Sequence, residues 1–453
     1  MQPIPDTKRS REFFILSRSA IISDPRVLRC IQSLSSTNAK VLAFGIEQPN
    51  STASPPGDAE KISPNVLLYN AKIIPDRNRQ QNTSTEEKTH SRIGKCTNVL
   101  IRFLSQKKRI RRLIYYFNLL IALRFFKCCN PDDIYWQYNP IFRAIHLQVT
   151  NCLSIKKDFT TSQMTDLIWV ANDWDMLPIA YLLQKEFGGK ILYDSHEFAV
   201  DQFSHNLQWK IWIRPLTRAI ERKYISQVDA IISVSPGICT ALKNRYKLPK
   251  TPVCVRNIPA YKACEFRPIS ENSKIRILYQ GVVAKGRGLE ALIESTPLWK
   301  RDFKLVIRGP GQPDYINALD QLIVQTASKI EIEIAPPVPF SELIETAQKS
   351  DIGLMLLNNR SVHNKYALPN KLFEYMMAGL AVIVSDVPDM AEIVTNYNTG
   401  KVIKSLDPHV IATQINSLTA DQINHMKKAS LKTSKSLNWE KEEHKFLTTI
   451  GSL

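Results

Sequence analysis

Three short segments carry residues whose types and spacing suit a phosphorylated ligand with a diol. The stretch LPNKLFEYMMAGLAVIVSDVP (Leu368 to Pro388) places Lys371 and Glu374 in the first turns of a helix. A carboxylate there can accept hydrogen bonds from a ribose 2′,3′-diol, and a neighbouring ammonium suits a phosphate. Upstream, Gln280-Gly281-Val282-Val283-Ala284-Lys285-Gly286-Arg287-Gly288 follows an apolar run and precedes a helical stretch. Backbone N–H groups at such a helix start, with Lys285 or Arg287, would cradle a diphosphate. Arg308-Gly309-Pro310-Gly311 then forms a tight turn where backbone can approach a ring closely. Each segment alone reads as a βα turn with a solvated charge. Three in register across one domain favour a ligand site.

Two other groups invite chemistry. Asp173-Trp174-Asp175 has the spacing with which some transferases hold a divalent ion on a diphosphate. It also lies between a strand-like run and a helix, where Asp is a favoured N-cap, and capping is the better reading. No metal site is therefore expected. His196 follows the run Lys190 to Tyr193 and is either a functional imidazole or a satisfied polar residue at a strand end.

The elements that must position these groups alternate. Phe13 to Ser17, Ala39 to Phe44, Asp166 to Ala171, Lys190 to Tyr193 and Asp229 to Val234 are short apolar runs. Helical stretches such as Asp24 to Ser35, Met176 to Phe187 and Asn206 to Ser226 lie between them. The pattern restarts after Pro268, with runs near Ile275 to Tyr279, Phe303 to Ile307, Ile330 to Ile334, Ile352 to Leu356 and Ala381 to Val384. Two successive βαβ series predict an α/β fold of two doubly wound domains. The expected division is 1–262, 263–435 and a C-terminal helix within 436–453 that packs back on the first domain. Polar segments 47–64 and 75–91 read as loops. Gly379 suits a helix C-cap, and Pro369 a first helical turn.

Size and charge agree with this. The chain has 453 residues, 44% of them hydrophobic, with 60 basic against 42 acidic side chains and a formal charge of +18. Such an excess favours an anionic partner without naming it. The eight cysteines show no CxxC pairing or metal-like spacing and read as reduced thiols of a cytoplasmic chain. The N-terminal residues show no apolar leader pattern, and no run of apolar residues is long enough to span a bilayer.

The order of these segments resembles glycosyltransferase family 4, with its GT-B fold of two facing Rossmann-like domains. The matching residues begin with Asp24-Pro25-Arg26-Val27-Leu28-Arg29, Tyr193-Asp194-Ser195-His196-Glu197 and Asp229-Ala230-Ile231-Ile232-Ser233-Val234-Ser235. They continue with Arg256-Asn257-Ile258-Pro259 and Pro369-Asn370-Lys371-Leu372-Phe373-Glu374-Tyr375-Met376. The resemblance implies transfer of a sugar from a UDP- or GDP-sugar to a glycan or lipid-linked acceptor, with retention of configuration and no cofactor or obligate metal. It places the nucleotide-sugar in the C-terminal domain, on Gly281, Lys285, Arg287, Arg308, Gly309, Lys371, Leu372 and Glu374. Glu374 corresponds to the second glutamate of the family's Glu-x7-Glu signature, and Arg287 to a phosphate-binding lysine. Arg26, His196 and Glu197 fall on the acceptor side, and His196, Arg287 and Lys371 carry the catalytic expectation. Two positions depart from the pattern. Tyr366 stands where the first glutamate is expected, and Val282 where an arginine usually follows the glycine.

Segment 101–130 has eight basic residues and no acidic one, and its apolar stretch Leu113 to Phe126 is too short to span. A basic, aromatic-rich helix of this kind suits an anionic membrane surface, and the alternative is a core helix with a solvated basic start. The expectation is a cytoplasmic enzyme peripherally attached to the membrane and active in cell-surface polysaccharide synthesis. The rivals are a non-catalytic nucleotide-sugar or membrane-binding protein on the same scaffold, and a GT-B isomerase of the sugar nucleotide. No nucleic-acid partner is expected, because the basic block lacks a readable motif.

Overall fold

The computed structural model describes residues 11–46, 60–71, 131–138, 140–155, 166–204, 206–357 and 362–453. The expected helix at 101–130, the loop at 75–91 and most of the segment 47–64 lie outside them.

The described strands, in chain order, are β1 (Glu12–Leu16), β2 (Lys40–Ile46), β3 (Glu60–Ser63), β4 (Val66–Ala71), β5 (Leu167–Asn172), β6 (Lys190–Ser195), β7 (Ala230–Ser233) and β8 (Val253–Cys254). They are followed by β9 (Ile275–Gln280), β10 (Phe303–Arg308), β11 (Glu331–Ala335), β12 (Ile352–Met355), β13 (Ala381–Ser385) and β14 (Gly400–Ile403). One sheet runs β3-β4-β2-β1-β5-β6-β7-β8, the other β11-β10-β9-β12-β13-β14. The chain falls into two compact units, 1–231 with Leu453, and 232–452.

In each sheet the earliest strand lies inside the order, and the chain winds away from it first in one direction and then in the other. The reversal falls between β1 and β5 in the first sheet and between β9 and β12 in the second. This is the doubly wound, Rossmann-like arrangement, and ligands of such sheets bind at the carboxyl ends of the strands beside the reversal.

The strands are apolar because both faces of a parallel sheet are covered. In β5 every residue is buried, and β13 is equally closed. Side chains alternate between faces in the second sheet. Ile275, Ile277 and Tyr279 join one hydrophobic cluster and Leu278 the opposite one.

Some local expectations need correction. Glu60–Ser63, at the end of the segment read as a polar loop, pairs antiparallel with β4 as an edge strand. Strands β4 and β14 are not among the apolar runs read above as strands. The stretch Asn206 to Ser226 is two helices, Leu207–Trp212 and Arg214–Tyr224, because Pro215 starts a new first turn. Pro369 is the cap residue before helix Asn370–Met377 rather than a residue within it. Gly379 has the left-handed φ of 73° expected after that helix. The last helix is Trp439–Gly451, and its Glu442 pairs at 3.1 Å with Arg256, a residue of the expected segment 1–262.

Candidate functional site

In the second unit the three segments meet at the carboxyl end of β9, beside the reversal of strand order. The Gly281 N–H donates to the Arg308 carbonyl at 2.9 Å, and the Val283 N–H to that of Pro310 at 2.8 Å. The two glycine-bearing turns therefore stay paired beyond their strands. They need glycine at both places. Gly281 has φ 135° and Gly309 φ 146°, and a Cβ on Gly309 would fall 1.9 Å from the Gly281 carbonyl oxygen.

Over this crossing lies Lys371. Its Nζ would be 2.5 Å from a Cβ on Gly281, lies 3.5 Å from the Tyr279 hydroxyl, and sits 4.5 Å from the centre of the Tyr279 ring. The Tyr279 hydroxyl itself donates to the Val282 carbonyl at 2.6 Å, which ties the ring to the loop. Helix Asn370–Met377 is held down by its buried apolar face, and the Tyr375 hydroxyl accepts the Gln280 N–H at 2.7 Å. This contact ties the helix that carries Lys371 and Glu374 to the end of β9.

The electrostatics point to an anion. Burial disfavours the charge on Lys371, and Arg287 repels it; Glu374 opposes both, and the ammonium ends at a pKa of about 8. Two cations held together beside one carboxylate carry an excess of positive charge that a diphosphate would neutralise. Glu374 is 7% exposed and on the same helix. Leu372 is fully buried, which leaves only its backbone to face a ligand. Lys285 is exposed on the loop, and Arg287 is half-buried.

The two departures are visible here. Val282 is 53% exposed, so an arginine there would project from the loop. The carbonyl of Tyr366 accepts from Ser235 Oγ at 2.9 Å, and the Tyr366 ring backs onto Gly237. Ser235 caps helix Pro236–Tyr246, so Tyr366 serves packing at that helix start.

In the first unit a second charged group gathers at the carboxyl ends of β1, β5 and β6. Arg26 is 1% exposed and binds Asp194 through both Nε and Nη2, at 2.9 and 2.7 Å. The His196 ring lies between two carboxylates, with Nε2 3.3 Å from Asp194 and Nδ1 3.5 Å from Asp173. Burial works against the imidazolium, but Asp173 and Asp194 outweigh it and push the pKa up to about 9. Burial would raise Asp194 too, yet Arg26 and His196 hold it well below the usual carboxylate range. His196 is thus a cation at neutral pH, with a carboxylate within 3.5 Å of each ring nitrogen.

Asp173 does not cap the helical turn after it. Its side chain accepts the His196 backbone N–H at 3.0 Å, and its own φ is 65°. Asp175 is buried against Arg18 Nε at 3.0 Å, and burial lifts its pKa to about 6. The two carboxylates serve different partners, and among the described residues no group of three His, Cys, Asp or Glu side chains could hold a metal ion. Glu197 is half-buried, and its carbonyl accepts from Ser195 Oγ at 3.0 Å.

Residues 265–435 match glycosyl transferases group 1. That segment contains β9 to β14 and every residue named at the Lys371 site. No curated protein matches the chain. Among solved structures, sucrose-phosphate synthase from Thermosynechococcus elongatus superposes with a TM-score of 0.62 at 13% identity, covering 96% of this chain and 97% of that one. An E. coli trehalose-6-phosphate structure bound with UDP-2-fluoro glucose gives 0.59 at 12% identity, over 98% and 99%. An Anabaena protein in complex with UDP and glucose gives 0.57 at 10% identity, over 98% and 100%. At these identities the likeness is one of fold, and the fold is GT-B.

Sequence reasoning missed Tyr279 and the clamp on His196, and gave Gln280 no role of its own. Tyr279 and Gln280 are the last residues of β9, and the rule that ligands gather at strand ends was the signal available for them. Among the described residues no helix is long and apolar enough to cross a membrane.

Proposed function

We propose that the protein is a glycosyltransferase that moves a sugar from a nucleotide-sugar to an acceptor. The observation that carries this reading is the placement of Lys371 beside Arg287, with Glu374 one turn on, at the reversal point of a sheet within the group 1 segment. Glu374 would take the ribose diol, and Lys371 and Arg287 the diphosphate. As the glycosidic bond breaks, negative charge grows on the leaving diphosphate, and two fixed cations stabilise it where it develops. UDP occurs in two of the superposed structures, which favours UDP over GDP as the donor base. Arg26, His196 and Glu197 of the first unit would serve the acceptor. A charged His196 with a carboxylate beside each ring nitrogen suits an electrostatic or positioning role on the acceptor side better than removing a proton. Retention of configuration, an acceptor from cell-surface polysaccharide synthesis, peripheral membrane attachment and independence of metal complete the proposal.

A panel of nucleotide-sugars tests it. One donor should raise the unfolding temperature, because binding to the native state alone stabilises it. The same donor, labelled in the sugar, should yield a labelled product with an added acceptor. Stabilisation without transfer to any acceptor would favour a non-catalytic nucleotide-sugar binder. Tyr366 in place of the expected glutamate is the observation that supports that second reading.

A further inference from the structure

Beside the Lys371 site, Gln280 and Arg308 are direct partners in the parallel register of β9 and β10. Their side chains leave the sheet on one face, at its carboxyl edge. Each carries a buried polar atom without a hydrogen-bond partner among the described residues: Gln280 Oε1, an acceptor, and Arg308 Nη1, a donor. Gln280 is 2% exposed. Leaving both unsatisfied in a finished core is unfavourable, and such groups call for a partner.

The pair has a fixed sense. Gln280 Nε2 donates to the Leu343 carbonyl at 3.3 Å, and turning the amide over would set two oxygens against each other. Arg308 can only donate. The edge therefore offers one donor beside one acceptor, in that order and not the reverse. Immediately beyond it lie Gly281 and Gly309, and the Tyr375 hydroxyl, on the helix that carries Glu374, accepts the Gln280 N–H at 2.7 Å.

We propose that Gln280 and Arg308 read the base of the nucleotide, taking bases that present a ring carbonyl beside a ring N–H. Arg308 donates to the carbonyl, and Gln280 Oε1 accepts from the N–H. Uracil and guanine have this edge. Cytosine and adenine present an amino group and a bare ring nitrogen, which would put donor against donor and acceptor against acceptor. The inference rests on the nucleotide reading of the Lys371 site and adds its base specificity.

Calorimetry of the full chain with UDP, CDP, GDP and ADP tests it, comparing UDP with CDP and GDP with ADP so that ring size cancels. At least one pair should differ by about tenfold or more, because a site built to hydrogen-bond one edge leaves its own groups unpaired against the other. In Gln280→Met and in Arg308→Met the difference should shrink to about threefold or less. Thermal unfolding of each variant shows that it is folded. Equal binding of all four by the parent overturns the inference and leaves the diphosphate site standing. A preference that survives both substitutions also overturns it, since the base is then read elsewhere. If none of the four binds, the nucleotide reading falls and this inference with it.

Discussion

The Lys371 ammonium lies 4.5 Å from the centre of the Tyr279 ring and 3.5 Å from its hydroxyl oxygen. The ring supports the cation without neutralising it, so the charge remains available to a ligand. Loss of that charge should be visible in binding.

Burial, then Arg287, lowers Lys371 to about 8. Affinity for a nucleoside diphosphate should be constant below that pH and fall above it, by at most about tenfold per unit, as one proton is lost. Lys371→Met should abolish this step and weaken binding at pH 7 by about 1.5–3 kcal/mol. Calorimetry between pH 7 and 10 reads both. A parent affinity that is flat across the range excludes Lys371 from the phosphate site. Stability has its own sign. The folded chain holds fewer protons than the unfolded one between about pH 8 and the ordinary 10.5, so this lysine makes stability rise with pH there. Lys371→Met should therefore melt higher than the parent at pH 7.

Glu374 and Arg287 should divide the nucleotide between them. Glu374→Gln should weaken nucleoside and nucleoside diphosphate alike, by about 1.5–3 kcal/mol, because the ribose belongs to both. Arg287→Ala should weaken the diphosphate much more than the nucleoside. Should the two variants give the same pattern, neither residue has the role assigned to it.

His196 is held charged by Asp173 and Asp194, with a folded pKa near 9 against an ordinary 6.5. Its contribution to stability is complete below about 6.5 and is lost as pH rises through 9. Asp173→Asn removes the charge beside Nδ1, so the imidazole should titrate at lower pH, and the parent's loss of stability at alkaline pH should move with it. Proton NMR of the ring, in parent and variant, measures the midpoint. An unchanged midpoint would mean that Asp194 alone sets the charge.

Much of this architecture is legible in the sequence. Runs such as Ala381 to Val384 announce strands covered on both faces, and the repeated alternation with helical stretches announces doubly wound sheets. Gly281, Gly309, Lys371 and Glu374 could be chosen because glycine and charge at the ends of apolar runs are local signals. Strands β3 and β14 were less legible: each is the last strand of its sheet, and an edge strand need not be uniformly apolar.

What no local pattern contains is the meeting of residues far apart in the chain. Arg26 and Asp194 are 168 residues apart, and Tyr279 and Lys371 are 92. Strand order brings each pair together, and burial then gives the pair its energy. The same holds for charge state. A histidine in sequence has an ordinary pKa, and only the two carboxylates delivered by β5 and β6 make His196 a cation at neutral pH. Asp173 is the plainest case. The sequence by itself determined a carboxylate at a strand end, where capping is the usual use. The packed sheet turned it instead to the His196 backbone N–H, with its other oxygen 3.5 Å from the imidazole, whose charge it favours.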